Sequence, residues 1–519
     1  MAIQTLFASY RGQMVPKTDA MNHEAAPAYA MTPRQALAQY ASTGCFGRTF
    51  YATEQEQLAR VLELCDSVGP EFVAKVAVYV RQHSHMKDMP ALLCAWLSMR
   101  EPRLHEAVFT EVIDSMKMLR NYVQILRSGA MGRKSLGTAP KRLVQTWLAT
   151  KDEETIFRSS TGASPSVADI LKMVHPKPSN KTREAFYAYM IGRTFDQTAL
   201  PGLVTSFERF KAGETVDLPD LPFTLLTALP LSKKDWATIA MRASWQTARM
   251  NLNTFARQGA FESPEVAERL VTLLKDRAEI GRARVFPYQL MVAYQNCSPD
   301  VPAAVREALQ DAMEIAIENV PAVNGKVFVC PDVSGSMQSP VTGHRQGATT
   351  AVRCIDVAAL VAAAILKKNP TAEVLPFKEE ILRVDLNPRD TVMTNAARLA
   401  AMGAGGTNCS APVRLLNERK AKGDLILFIS DNQSWVDAAA GKGQGTALMT
   451  EWSVFRQRNP DARLVCLDIQ PYTTKQAVER ADILNIGGFA DSVFEVIARF
   501  AAGELEAEHW VRVIEALVI

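Results

Sequence analysis

Lys326-Val-Phe-Val-Cys-Pro-Asp332-Val-Ser-Gly-Ser336 decides how the C-terminal part of this chain is read. A short apolar β-type run leads directly into a loop of one carboxylate, two hydroxyls and a glycine. Downstream, apolar β-type runs alternate with helical patterns: a helix over 352–368, strands over 372–377 and 381–386, a helix over 392–402, a strand over 425–429, a helix over 447–458, a strand over 464–469 and a helix over 491–502. Strands that are apolar on both faces and separated by helices predict a parallel sheet covered on both sides. The expectation is a doubly wound α/β domain over 323–519, with its site beyond the carboxyl ends of the strands.

Three segments fall where such a site forms. Asp332, Ser334 and Ser336 follow the first strand. Thr407 sits in the glycine loop Gly405-Gly-Thr-Asn408, and Asp431 follows the strand that ends at Ile429. The candidate metal ligands are therefore Asp332, Ser334, Ser336, Thr407 and Asp431. An oxygen-only set of hydroxyls and carboxylates suits a hard divalent cation, Mg²⁺ or Mn²⁺, rather than zinc. The bland alternative is a metal-free turn, since Asp-Val-Ser-Gly-Ser is also good turn chemistry.

The D-x-S-x-S element, the later Thr and the strand-end Asp resemble the metal-ion-dependent adhesion site of von Willebrand A domains. The resemblance implies that the serines ligate directly and that Thr407 and the aspartates do so directly or through water. It also implies that the ion accepts an acidic side chain from a protein partner. Hydrolysis would need a positioned base beside the ion. His344, in a glycine-rich loop, is the nearest histidine in sequence and reads as a solvated loop residue. No P-loop, nucleophile elbow, H-E-x-x-H or G-x-G-x-x-G occurs, so those enzyme classes are not indicated.

Upstream the texture is helical from about 32 to 320. Leu58, Val61, Leu62 and Cys65 recur at helical spacing, as do Phe72, Val76, Tyr79 and Val80. Thr32-Pro33, Thr53-x-x-Glu56, Ser164-Pro165 and Ser263-Pro264-Glu265 mark helix starts. Many helices joined by short turns predict an all-α helical-repeat (HEAT-like) stack over 24–322, preceded by an arm over 1–23.

The overall charge of +3 hides an asymmetry. Residues 133–183 hold ten Lys and Arg against four Asp and Glu. Positive side chains at this density could neutralise phosphates, and helix N-termini after Pro140 and Pro165 could offer N–H groups to them. A solvated basic face would have the same composition. Trp147, Phe186, Tyr187 and Tyr189 have spacing that suits helix burial more than base stacking.

Several stretches resemble the TROVE module of Ro and telomerase-associated proteins: Gly47-Arg-Thr-Phe-Tyr51, the basic run Arg133 to Trp147, Asp169-Ile-Leu-Lys-Met-Val-His-Pro-Lys-Pro-Ser179, Trp245 to Phe255, and Arg284-Val-Phe-Pro-Tyr288. A von Willebrand A domain directly after them is the Ro architecture. The resemblance implies a helical ring that binds small non-coding Y-like RNA on its outer basic surface. Single-stranded ends of misfolded or structured RNA would enter the central hole, with an exoribonuclease as partner. The residues it points to as RNA contacts are Arg133, Lys134, Lys141, Arg142, Lys172, His175, Lys177, Lys181, Arg183 and Arg249. The competing function is a metal-dependent protein-interaction module with the helical part as scaffold. A non-enzymatic, monomeric, cytoplasmic protein is expected. Its eight cysteines are scattered as free thiols would be, no apolar run is long enough to span a bilayer, and the start of the chain lacks the pattern of a secretory signal.

Overall fold

The computed structural model describes residues 15–519 apart from 45, 163, 215–216, 228, 284–286, 319, 342–351, 404, 436–444, 488–491 and 506–508. His344 and Arg284 to Phe286 thus lie outside the described residues. The chain divides into two compact units. One holds the residues up to Leu64, Leu274–Asn296 and Arg306–Val513; the other holds Cys65–Leu273, Cys297–Val305 and Ile514–Ile519. The boundaries expected at 23 and 322 do not coincide with these: the chain up to Leu64 belongs with the α/β unit.

The α/β unit is built on five parallel strands. Strands β3 (Val327–Pro331), β4 (Glu373–Val374), β5 (Leu425–Ser430), β6 (Arg463–Asp468) and β8 (Ile483–Gly487) lie in the order β4-β3-β5-β6-β8. Val327 pairs with Leu425, Ile426 with Leu464, and Leu464 with Ile483. The two-residue period of a strand sends alternate side chains to opposite faces. Phe328, Cys330, Ile426, Phe428, Leu464 and Cys466 share one core with Val413, Leu416, Trp452 and Phe455, from helices Ala411–Glu418 and Ala447–Arg458. Helix Cys354–Lys368 packs on β3 and β5 and is buried over nearly its whole length. This explains why the central stretches of β3, β5 and β6 are apolar on both faces.

Two elements depart from the sequence reading. The strand expected over 381–386 is absent; a single bridge joins Phe377 to Ile381. A hairpin begins at the end of the expected arm and runs past residue 23. Strands β1 (Ala20–Met21) and β2 (Pro27–Ala30) are antiparallel, and β2 continues onto β7 (Thr474–Lys475) through Tyr29–Lys475 and Ala30–Thr474.

In the helical unit, helix Asp88–Arg100 is buried from Met89 through Ser98. It packs on Pro70–Gln82, Pro102–Val112 and Met116–Arg127. Packing of each helix on its near neighbours in sequence is the pattern of a helical-repeat stack. Helix starts were legible. Thr32 caps Pro33–Thr43 reciprocally with Gln35, Thr53 and Glu56 do the same for Glu54–Val68, and a helix begins at Pro264. At Ser164-Pro165 the cap is instead Ser166, closed by Asp169. Among the described residues no helix is long and apolar enough to cross a membrane.

Candidate metal centre and basic face

The ends of β3 and β5 present their carboxylates side by side. The Asp332 backbone N–H donates to the Ile429 carbonyl at 2.9 Å, which continues the β3–β5 register into the loop. Asp332 Oδ1 accepts from the Ser334 N–H at 2.8 Å, and Oδ2 accepts from the Ser430 hydroxyl at 2.6 Å. The Ser334 and Ser336 hydroxyls lie 3.3 Å apart. Thr407 comes from another segment, yet its loop touches both others. The Gly335 N–H donates to the Gly405 carbonyl at 2.9 Å, and the Trp435 N–H donates to the Thr407 carbonyl at 3.0 Å. The five residues singled out from sequence therefore share one recess, and none is more than 6% exposed.

The recess gathers buried carboxyl groups. Burial raises the Asp332 carboxyl above the usual carboxylate range. Burial, and then the Asp332 charge, push Asp431 up to about 7. Asp468, at the end of β6 and paired in register with Ser430, is raised well above its ordinary value by burial and by Asp431. Its Oδ2 has no hydrogen-bond partner. None of the three carboxylates forms an ion pair with Lys, Arg or His among the described residues. Burying an uncompensated ion costs several kcal/mol, and a divalent cation would offset that. Among the described residues no three His, Cys, Asp or Glu side chains group as metal ligands. An ion here would depend on Ser334, Ser336 and Thr407 as well as the carboxylates, a hard donor set that fits Mg²⁺ or Mn²⁺. Asp468 escaped the sequence reading. Its one signal was an aspartate at the end of an apolar run, which many strands share.

The basic residues lie in the helical unit, mostly on its surface. Lys134, Arg142, Lys172, His175, Lys177 and Lys181 are exposed; Arg133 and Lys141 are half-buried. Apart from a loose 3.9 Å contact between Arg142 and Glu106, none of these eight makes an ion pair among the described residues. Two clefts of about 670 and 640 Å³ adjoin them. The first is lined by His175, Lys181, Tyr187 and Arg193, and the second by Arg127, Ser128 and Lys172. Helix Thr138–Ala149 has no side-chain cap at Gly137, so its first N–H groups remain available. The N-terminus of Val167–Val174 is instead closed by Ser166 and Asp169, whose carboxylate would repel phosphate.

Arg183 departs from the expectation for a surface RNA contact. It is buried, pairs with Glu153 at 2.7 Å, donates to the Leu148 and Lys151 carbonyls and lies over the Tyr187 ring. Its guanidinium ties the Lys181–Ile191 helix to the turn before Glu153–Arg158. Arg249 is half-buried, with its Nε 3.4 Å from the Gln246 amide oxygen. Trp147, Phe186 and Tyr187 are buried as helix-core residues, and the Trp147 indole N–H donates to the Ile113 carbonyl.

Residues 326–501 match the family model described as the Ro60 vWA domain. Over 92% of its length the chain is 24% identical to a protein of Deinococcus radiodurans named RNA-binding protein RO60, of which the match covers 94%. The crystal structure of the Deinococcus radiodurans RO (RSR) protein superposes with a TM-score of 0.57 at 21% identity, covering 91% of this chain and all of that one. The fold is thus shared over nearly the full length. The chain is similar over nearly its full length to bacterial Ro proteins, and its residues 326–501 match the Ro60 von Willebrand A domain.

Proposed function

We propose that this chain is a non-catalytic RNA-binding protein whose helical unit holds phosphate backbones on the Arg133–Lys181 face. The observation that carries the reading is the set of exposed cations beside two clefts, without ion pairs among the described residues apart from the loose Arg142–Glu106 contact. A charged face without carboxylate partners is free to exchange its counterions for phosphates. Kinship with a protein named for RNA binding supports the same reading. On it, small structured Y-like RNAs lie on the face, single-stranded ends of misfolded RNA are held by backbone charge without sequence readout, and a cytoplasmic exoribonuclease acts on what is bound.

The recess of Asp332, Ser334, Ser336, Thr407 and Asp431 is read as a divalent-metal site. The ion would supply a positive centre that accepts oxygen ligands. Hydrolysis beside it would need a positioned base. Among the described residues, the His23 imidazole, on the hairpin docked to the Asp431 loop, stacks on Tyr51 and meets Tyr472 edge-on.

The test is binding of a stem–loop RNA with a single-stranded 3′ tail, measured by fluorescence anisotropy over a range of salt. Replacing Lys141, Arg142, Lys177 and Lys181 together by Ala is expected to lower affinity on the order of 10²-fold at low salt. It should also flatten the log–log salt slope by about 3. Unaltered affinity and slope would exclude this face. Protein that purifies free of nucleic acid and binds no such RNA would favour the protein-interaction module.

A further inference from the structure

The metal recess has a cover drawn from the N-terminal hairpin. The Asn22 side-chain amide donates to the Ser434 carbonyl at 2.6 Å, and the His23 N–H donates to the Gln433 side chain at 3.0 Å. Both acceptors lie on the loop that carries Asp431. Glu24, the next residue along, accepts at Oε1 from the Tyr51 hydroxyl at 2.7 Å. Tyr51 is fixed in turn by His23 and by the edge of Tyr472, 5.4 Å away between ring centres, and the Asp431 charge and the Ser336 side chain both act on its hydroxyl. The Glu24 carboxylate is therefore held on a hairpin docked to the loop of one metal-site carboxylate, through a hydroxyl that the recess itself influences.

The donor count leaves a place for it. Ser334, Ser336, Thr407, Asp332 and Asp431 are five; Asp468 ends β6, one strand farther from β3, and is left out of the set; an octahedral ion takes six oxygens. We propose that Glu24 is the sixth, so that a bound ion clasps the N-terminal hairpin onto the strand-end loops of its own α/β unit. The position that a von Willebrand A domain would offer to an acidic partner is filled from within the chain. This inference rests on the reading of the recess as a metal site. It also gives the Gly47–Tyr51 stretch a local role: it supplies the hydroxyl that holds the carboxylate in waiting.

The experiment is Mn²⁺ titration calorimetry on the full chain, with hydrogen exchange of residues 20–30 followed with and without Mn²⁺. The wild-type chain should bind the ion and slow exchange in the hairpin. Glu24→Gln and Glu24→Ala should each bind at least about tenfold more weakly and show no slowing. Excess acetate should restore the affinity of Glu24→Ala and leave the wild type unchanged. Tyr51→Phe, which keeps the carboxylate, should remain near wild type. If both Glu24 variants match the wild type in affinity and hairpin protection while Asp332→Ala loses the ion, the clasp is overturned and the metal site stands. If Asp332→Ala binds Mn²⁺ as the wild type does, the metal site itself fails and the clasp with it.

Discussion

The metal recess and the basic face both concentrate charge of one sign, and they do so in opposite ways. In the recess, carboxylates almost free of solvent are held by named hydrogen bonds from Ser334 and Ser430. On the face, lysines stand in water with no carboxylate attached. Buried charge is costly and only weakly screened, so removing one group changes the site outright. Exposed charge is individually weak and acts by summation, so it is lost in increments. Arg183 sits at the border: near the face in sequence, it behaves as the recess does.

The largest effect should come from the recess. Asp332→Ala removes both a carboxylate of the proposed metal site and the acceptor of the Ser334 N–H. Divalent-metal binding should become undetectable by calorimetry while circular dichroism shows the fold retained. Next comes Arg183→Ala, which breaks a buried pair with Glu153 and should cost about 3–5 kcal/mol in denaturant unfolding. It should leave the RNA salt slope of the folded protein unchanged. A variant that instead lowered the slope as a lysine change does would erase the distinction between the two kinds of charge.

A smaller effect concerns His105. Its ring is buried, 3.0 Å from the Tyr122 hydroxyl, and burial lowers its pKa to about 4. The folded value lies below the unfolded one of about 6.5. The unfolded chain therefore takes up the proton first, and stability is lost as pH falls from about 6.5 to about 4, by roughly 3 kcal/mol. In urea unfolding across that window, His105→Phe should flatten the dependence. A slope identical to wild type would mean the ring is not the titrating group. Smallest of all are single neutralisations on the basic face, each expected to reduce the RNA salt slope by under about 1.

The α/β fold was legible because a doubly wound sheet writes itself as alternation, and the middles of β3, β5 and β6 are apolar on both faces. The segment 381–386 looked similar but places Arg383 and Asp385 where a central strand would need apolar residues, and it forms only the bridge at Ile381. Helix Ala411–Glu418 was hidden by its shortness and its early proline. Within the recess, the five residues read as oxygen ligands could be brought together from sequence because each lies after a strand or in a glycine loop. Glu24 and Tyr51 were not, because their place depends on a hairpin docked 412 positions away in sequence, as the Asn22–Ser434 contact shows. On the basic face, composition counted charges but could not tell which of them face water. Arg183 needed the coordinates of Glu153, Leu148 and Lys151 to be recognised as internal.

The pairing of Tyr29 with Lys475 also bears on how the molecule is made. A strand near residue 29 finds its sheet partner only once the chain as far as Lys475 is available. Closing so long a loop is entropically costly and slow. Until β7 is in place, β2 carries an unmatched strand edge, which is an aggregation hazard.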